Sequence, residues 1–329
     1  MGFRDATMTV FAAHRTAVLC AVGMGLVSAA LCVGFRYFRR PKKVSRVGVV
    51  SQVNVFPLKS GKGLSVTTAQ CLEMGLKYGE LKDRHWLVVT DDGHQVTARQ
   101  EPRLVLLSMT CQDGRLCLNA PGMEQLSIPL SQPQNQVINC RVWSSDIQGR
   151  DCGEPASLWI TRYLSGDKTF RVVQFEPQMK GRSPVEKFPF FLKHEKVAYP
   201  DTAAILLMTE SSVTDLNTRL MDKVTTAWFR PSIVVTGCDA YAEDSWDELQ
   251  IGRVRLRRAM ACSRCLLTTV NPDTGVISRK DPLETLKSYR MCDASEKHVY
   301  GSSPLFGQYY SVIKTGAIQV GDAVYTITN

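Results

Sequence analysis

The chain has 329 residues, enough for two ordinary domains or one large one, and 44% of them are apolar, so it buries a substantial core. Its formal charge is +9, but residues 1–46 hold Arg4, Arg15, Arg36, Arg39, Arg40, Lys42, Lys43 and Arg46 against Asp5 alone, leaving about +2 for the rest; a nearly balanced globular part argues against nucleic-acid binding. Eleven cysteines without regular spacing over so long a chain argue against a disulfide framework and for a reducing compartment.

From Thr16 to Phe35 the sequence runs twenty residues without a charge, long enough to cross a bilayer as a single helix. The basic run Arg36–Arg46 follows it directly. By the positive-inside bias this places the remainder of the chain on the cytosolic side. A cleaved signal peptide carries its basic residues before the apolar run, not after it. Residues 1–46 are therefore expected to be a membrane anchor with a basic flank, in the style of the outer mitochondrial membrane.

Val47–Phe56 alternates and predicts the first strand. Pro57-Leu58-Lys59-Ser60-Gly61-Lys62-Gly63 follows, rich in glycine and lysine but without the P-loop pattern. Lys82-Asp83-Arg84-His85 leads into a buried strand over Trp86–Thr90, turned back at Asp91-Asp92-Gly93. Leu104–Thr110, Arg115–Leu118 and Val137–Val142 predict further strands, so this half reads as a barrel or sandwich. A helix is predicted over Glu154–Leu164, opened by Pro155 and stopped by Gly166, and Thr169–Phe175 predicts a strand. Residues 177–200 carry Pro177, Pro184, Pro189 and Pro200 and predict a long ordered loop or domain junction, giving domains at 47–176 and 177–329.

Ala203–Met208 predicts a short buried strand running into Thr209-Glu210-Ser211-Ser212. Ser212 to Asp215 fits a capping box, and the hydroxyl-rich helix start is either an anion site or an ordinary cap. Arg230 precedes Pro231 and is expected in an extended conformation, ahead of a strand over Ser232–Thr236. Asp239, Glu243, Asp244 and Trp246 read as a solvated acidic loop. Asp281-Pro282 predicts another helix start, and Val324–Ile327 a closing strand after the turn Val320-Gly321-Asp322.

The densest chemistry lies in Arg258–Gly275, with Cys262 and Cys265 spaced C-x-x-C and Arg264 between them. Leu266–Val270 predicts a strand, placing Cys265 where a loop enters it. A guanidinium beside a thiol favours the thiolate, which suits a soft metal or a nucleophile. Buried structural thiols, half of a zinc site and a redox dithiol stay open at this point. The other cysteines supply no second C-x-x-C, and a thioredoxin-like pair belongs at a helix start. Lys59, Arg84, Arg230 and Arg264 all fall at strand ends or loop mouths, a set that suits an anionic, phosphate-bearing cofactor together with a metal held by one thiolate.

Taken together, PLKSGKG (Pro57–Gly63), KDRHW (Lys82–Trp86), TESS (Thr209–Ser212), FRP (Phe229–Pro231), GCDAYAEDSWDEL (Gly237–Leu249), ACSRC (Ala261–Cys265) and SPLFGQY (Ser303–Tyr309) make the chain from Val47 onward resemble the mitochondrial amidoxime-reducing components, molybdenum enzymes of the MOSC family. The resemblance implies an α+β, β-barrel-rich fold with an N-terminal MOSC-type β subdomain, preceded by the anchor helix. It implies a molybdenum–molybdopterin cofactor, with Cys265 as catalytic metal ligand and cofactor contacts on Lys59, Ser60, Arg84, Thr209, Ser211, Arg230, Ser263 and Arg264. It implies reduction of amidoximes, hydroxylamines and N-hydroxyguanidines, with electrons from NADH through cytochrome b5 reductase and cytochrome b5 on the outer mitochondrial membrane. The sequence departs from the family pattern at Ser232, where the pattern has asparagine. A cofactor carrier or sulfur-transfer protein of the same family and a membrane-tethered zinc module are the competing expectations.

Overall fold

A computed structural model describes residues 42–164 and 168–328. The expected span Thr16–Phe35, most of its basic flank and the Gly166 stop lie outside the described residues. Among the described residues no helix is long and apolar enough to cross a membrane. Ser45–Ile327 form one compact unit; of the second, Met1–Val44 with Thr328–Asn329, only residues 42–44 and 328 are described.

Seven strands close a barrel, numbered here in chain order: β1 Lys43–Val55, β2 Ile205–Thr209, β3 Ile233–Thr236, β4 Glu248–Ile251, β5 Val254–Ser263, β6 Leu305–Lys314 and β7 Ala323–Thr328. Around the barrel the order is β3-β2-β6-β5-β4-β7-β1, and β1 returns to β3 to close it. β2 and β3 run parallel, and β1 meets β3 antiparallel with Val53 opposite Ile233. The barrel is thus completed by a strand about 150 residues earlier than its next member. Gly48 permits this approach: a Cβ there would lie 2.5 Å from the Thr236 carbonyl oxygen.

β2, read as a short buried strand, is buried along its whole length because it is covered on both faces. Ile205 and Leu207 join Ile233, Val235, Leu249 and Leu256 in the barrel core, whereas Met208 and Val234 turn outward onto Val213, Leu216, Phe229 and Phe306. That outer layer includes the helix α2, Glu210–Thr218; α1 is Glu154–Leu164, opened by the predicted Pro155. The first half forms a four-stranded sheet in the order Val137–Val142, Ser145–Asp151, Phe170–Gln174 and Trp86–Thr90. One face packs Trp86, Val88 and Val172 against Ala156, Ile160 and Tyr163 of α1, and the other packs Leu87, Val89 and Val173 against Tyr199.

Several expectations are corrected. Leu104–Thr110 is not one strand: a 3₁₀ turn over Pro102–Leu106, opened by its proline, precedes a strand over Ser108–Gln112. Leu266–Val270 is not a strand either but a 3₁₀ turn over Leu266–Thr269. The threonines there bond locally, Thr268 Oγ1 donating to the Cys265 carbonyl at 2.9 Å and Thr269 Oγ1 to that of Leu266 at 2.8 Å. Such back-bonding stabilises a turn against a ladder. Cys265 therefore follows a strand, β5, instead of preceding one. Residues 177–200 are the expected ordered loop, pinned by the Arg182–Val197 bridge and the fully buried Tyr199.

Candidate active site

Four chain segments supply the site, and backbone hydrogen bonds fix each. The loop leaving β1 is stitched to the strand at Trp86: Lys59 N donates to the Trp86 carbonyl at 2.8 Å, Trp86 N to that of Pro57 at 3.0 Å, and Arg84 N to that of Phe56 at 2.6 Å. Ser60 (φ 66°) and Arg84 (φ 48°) adopt left-handed backbone. So does Arg230 (φ 57°, ψ 46°), which corrects the extended conformation expected before Pro231. Proline disfavours the right-handed α region for its predecessor but leaves this one accessible. Left-handed conformations in residues other than glycine cost about 1–2 kcal/mol each and cluster where side chains must be aimed. Three of the nine expected site residues carry that strain.

The side chains of Lys59, Ser60, Arg84, Arg230, Arg264 and Cys265 line one cavity of about 90 Å³, together with Asp201, Trp143 and Tyr309. Six residues spread over some 200 positions are thus brought together as expected. Lys59 is buried; its Nζ donates to the Tyr199 carbonyl at 2.8 Å and pairs with the Asp201 carboxylate. Arg84 is held by Asp83 at 2.5 Å and donates to the Arg230 carbonyl at 3.1 Å. Both guanidinium carbons stand over the Phe56 ring, at 4.5 Å for Arg84 and 4.4 Å for Arg230. Arg264, 6% exposed, donates to the carbonyls of Phe306 at 2.7 Å and Phe229 at 3.0 Å. Its Nη2, and Nη2 of Arg230, are buried without a hydrogen-bond partner. An unpartnered buried cationic donor is costly, so two of them on one cavity mark a place for an anion.

Thr209, Ser211 and Ser263 do not border this cavity. Ser263 is exposed at the end of β5. Thr209 caps α2, three residues before the cap expected from the Ser212–Asp215 pattern, and its side chain accepts from Ser212 N. The buried Glu243 carboxylate occupies this helix start, accepting from Thr209 Oγ1 at 2.9 Å and from Ser212 Oγ at 2.9 and 3.0 Å. The protein's own carboxylate thus takes two of the hydroxyls that read as an anion site, Ser211 Oγ donating instead to Thr209 Oγ1 at 3.2 Å, and Glu243, read as a solvated turn residue, is 1% exposed. Burial raises its pKa above the usual carboxylate value. Ser232, at the departure from the family pattern, is fully buried and accepts from Leu206 N at 3.3 Å.

Cys262 points into the protein, 2% exposed, and burial raises its thiol pKa, whereas Cys265 is half-buried on the cavity. The two thiols of the C-x-x-C therefore have unlike surroundings. Among the described residues no group of three or more His, Cys, Asp or Glu stands together to hold a metal ion, which leaves the zinc reading with no third ligand beside Cys262 and Cys265 there.

Sequence reasoning missed Asp201, Trp143 and Tyr309. Burial pushes Lys59 down from the ordinary 10.5 to about 8, against the pull of Asp201. Asp201 is held low despite its own desolvation, chiefly by Lys59. Two outcomes follow from the sign. Anion affinity at this cavity should fall as pH rises through about 8, as Lys59 loses its proton. Between about 8 and 10.5 the unfolded chain binds the proton that the folded chain has released, so stability should rise with pH. Lys59→Met should remove both trends; denaturant midpoints and anion titrations at pH 7 to 10.5 measure them.

Two family models cover most of the chain, the MOSC N-terminal beta barrel domain at residues 47–167 and the MOSC domain at residues 194–325. The chain is 54% identical over all of its length to mitochondrial amidoxime-reducing component 1 of Danio rerio, all of which is covered. It is 55% identical to mitochondrial amidoxime reducing component 2 of Bos taurus, covering 87% of this chain and 85% of that one. With mitochondrial amidoxime-reducing component 1 of Homo sapiens it shares 50% identity, covering 98% and 97%. With the MOSC domains matched and such identity along nearly the whole of each chain, this protein belongs to the mitochondrial amidoxime-reducing component family of MOSC proteins.

Proposed function

We propose that this chain is a molybdenum-dependent reductase of N-hydroxylated compounds, converting amidoximes, hydroxylamines and N-hydroxyguanidines to amidines, amines and guanidines. The observation that carries the reading is the half-buried Cys265 thiol in one cavity with Lys59, Arg84, Arg230 and Arg264, two of whose guanidinium nitrogens lack a partner. This donor set fits an anionic, phosphate-bearing pyranopterin with a soft metal: one thiolate for the metal, four cations for the anion. When bound, that cofactor supplies the two-electron chemistry that cleaves the N–O bond. The chain's own residues do the rest. Cys265 offers a single sulfur from the rigid end of β5, and Arg264 braces that turn through the carbonyls of Phe229 and Phe306. Lys59 and Arg264 are buried and Arg84 and Arg230 partly buried, and lowered solvation strengthens each contact with an anion.

The relatives' names support the substrate class and a mitochondrial setting. As part of the same proposal, residues 1–46 anchor the chain in the outer mitochondrial membrane with the remainder in the cytosol. Electrons come from NADH through cytochrome b5 reductase and cytochrome b5, and confinement to one membrane raises their effective concentration. The direct test reconstitutes the full-length protein in vesicles with cytochrome b5, its reductase and NADH, and follows benzamidoxime reduction. Amidine formation in step with NADH oxidation supports the reading; molybdenum-loaded protein that forms none overturns it. Arg230→Ala, which removes a charge-assisted contact worth about 1.5–3 kcal/mol, should lower molybdenum content about tenfold or more at limiting cofactor, with the denaturant midpoint reporting the fold separately.

A further inference from the structure

Trp143 stands where no turn rule would place it. The strands Val137–Val142 and Ser145–Asp151 pair with Val142 opposite Ser145, leaving a two-residue turn of Trp143 and Ser144. Trp143 has φ 58°, the conformation such turns normally give to glycine at their first central position. A bulky residue in left-handed backbone is an outlier whose retention points to use of the side chain. The indole is also held from two directions. Its Nε1 donates to Asp201 Oδ1 at 2.9 Å, the carboxylate that also pairs with Lys59, and the Arg99 guanidinium carbon lies 4.1 Å from the ring centre. Even so, 39% of the residue remains exposed.

Its position in the cavities explains what the ring is held for. The 90 Å³ cavity at Cys265 shares Trp143 and Asp201 with a groove of about 1250 Å³, and shares Thr97, Arg99, Trp143 and Cys265 with another space of about 480 Å³. Trp143 is the one residue that lines all three. The space beside the thiol is the one whose cations and sulfur are assigned above to the cofactor, and sites for drug-sized molecules take roughly 300–1,000 Å³, so a substrate's body has no room there. An aromatic substituent must lie in the adjoining space, against whatever wall the junction offers, and that wall is an indole.

Resting on the reductase reading above, we propose that Trp143 is the platform on which the flat, conjugated part of an N-hydroxylated substrate stacks, and so the residue that sets the preference for aromatic over small aliphatic substrates. Arg99 and Asp201 fix the ring's orientation before substrate arrives, so little ordering is lost on binding. The hydrogen bond to Asp201 positions the ring; the ring face does the recognising.

The test compares the wild-type holoenzyme with Trp143→Ala and Trp143→Phe, each checked for molybdenum content. Binding of benzamidoxime and of acetamidoxime is measured by calorimetry, and kcat/KM for both is measured in parallel. In Trp143→Ala the affinity for benzamidoxime should fall at least tenfold relative to that for acetamidoxime, with the same change in the ratio of kcat/KM and the change expressed in KM. Trp143→Phe, which keeps an aromatic face and loses the N–H to Asp201, should retain most of the discrimination. An unchanged ratio in Trp143→Ala overturns the proposal, as does a wild-type protein that binds benzamidoxime no better than acetamidoxime. If the binding ratio collapses as described while no form of the protein turns either compound over, the platform stands and the reductase reading falls.

Discussion

Cys265→Ala should abolish amidoxime reduction while leaving the fold intact. The sulfur is half-buried on the cavity wall, so its loss opens no sealed core void, and the backbone carbonyl that accepts from Thr268 Oγ1 at 2.9 Å is kept. Stability should change by less than about 1 kcal/mol, as for other substitutions away from packed cores. Cys265→Ser sharpens the result. A hydroxyl of the same shape is a hard, poorly ionised donor and a weak ligand for a soft metal centre, so serine should be as inactive as alanine. Reductase assays beside circular dichroism and denaturant midpoints measure both sides; an active Cys265→Ala protein would remove the metal ligand from the account.

The second large effect is expected at Gly307 in β6, where φ is 78°. A Cβ there would meet the Leu207 carbonyl oxygen at 3.0 Å and Nη2 of Arg264 at 3.2 Å. Gly307→Ala combines left-handed strain with pressure on a guanidinium whose other two nitrogens are already committed. A loss of about 2–3 kcal/mol is expected, the αL penalty of about 1–2 kcal/mol plus the contact, along with a drop in cofactor content as Arg264 shifts. Gly114→Ala is the matched control, since its φ of 71° is similar and nothing lies within 4 Å of the added carbon. Denaturant midpoints of the pair separate strain from crowding. Equal losses would show that Arg264 does not depend on the missing side chain.

Much of this site is legible in the sequence because its donors sit in short local motifs. Cys265 and Arg264 share one pentapeptide, Lys59 and Ser60 one glycine-rich loop, and cysteine, lysine and arginine announce their chemistry by type. What sequence cannot announce is which polar residue the fold brings to the site or buries. Asp201 ends a proline-rich loop and becomes a site residue only because Lys59 and Trp143, 142 and 58 positions earlier, reach it. Glu243 looks like any acidic turn residue, yet the parallel pairing of β2 and β3 and the cap at Thr209 carry it into the protein. That carboxylate takes the hydroxyls of Thr209 and Ser212 at this helix start, while Ser211 donates to Thr209 Oγ1 instead. The alternating runs and tight turns that read as a barrel or sandwich lie in the first half, which forms a four-stranded sheet packed on α1, whereas a β-barrel-rich fold for the remainder followed only from the family resemblance. Closure of the barrel by β1 was not foreseeable, because pairing between residues 49–53 and 233–236 leaves no local signal. Nor was the turn at Leu266–Thr269, where an apolar, threonine-rich run matched strand propensity until the threonine hydroxyls bonded back to their own chain.

The central claim is that Cys265 and its ring of cations hold molybdenum. The most direct measurement is metal analysis of the protein produced in a molybdopterin-competent host, beside its Cys265→Ala variant, with benzamidoxime reduction followed in both. The account predicts close to one molybdenum per wild-type chain and reduction that disappears in the variant. Zinc, or no metal, in a folded and cofactor-supplied wild-type protein would contradict it.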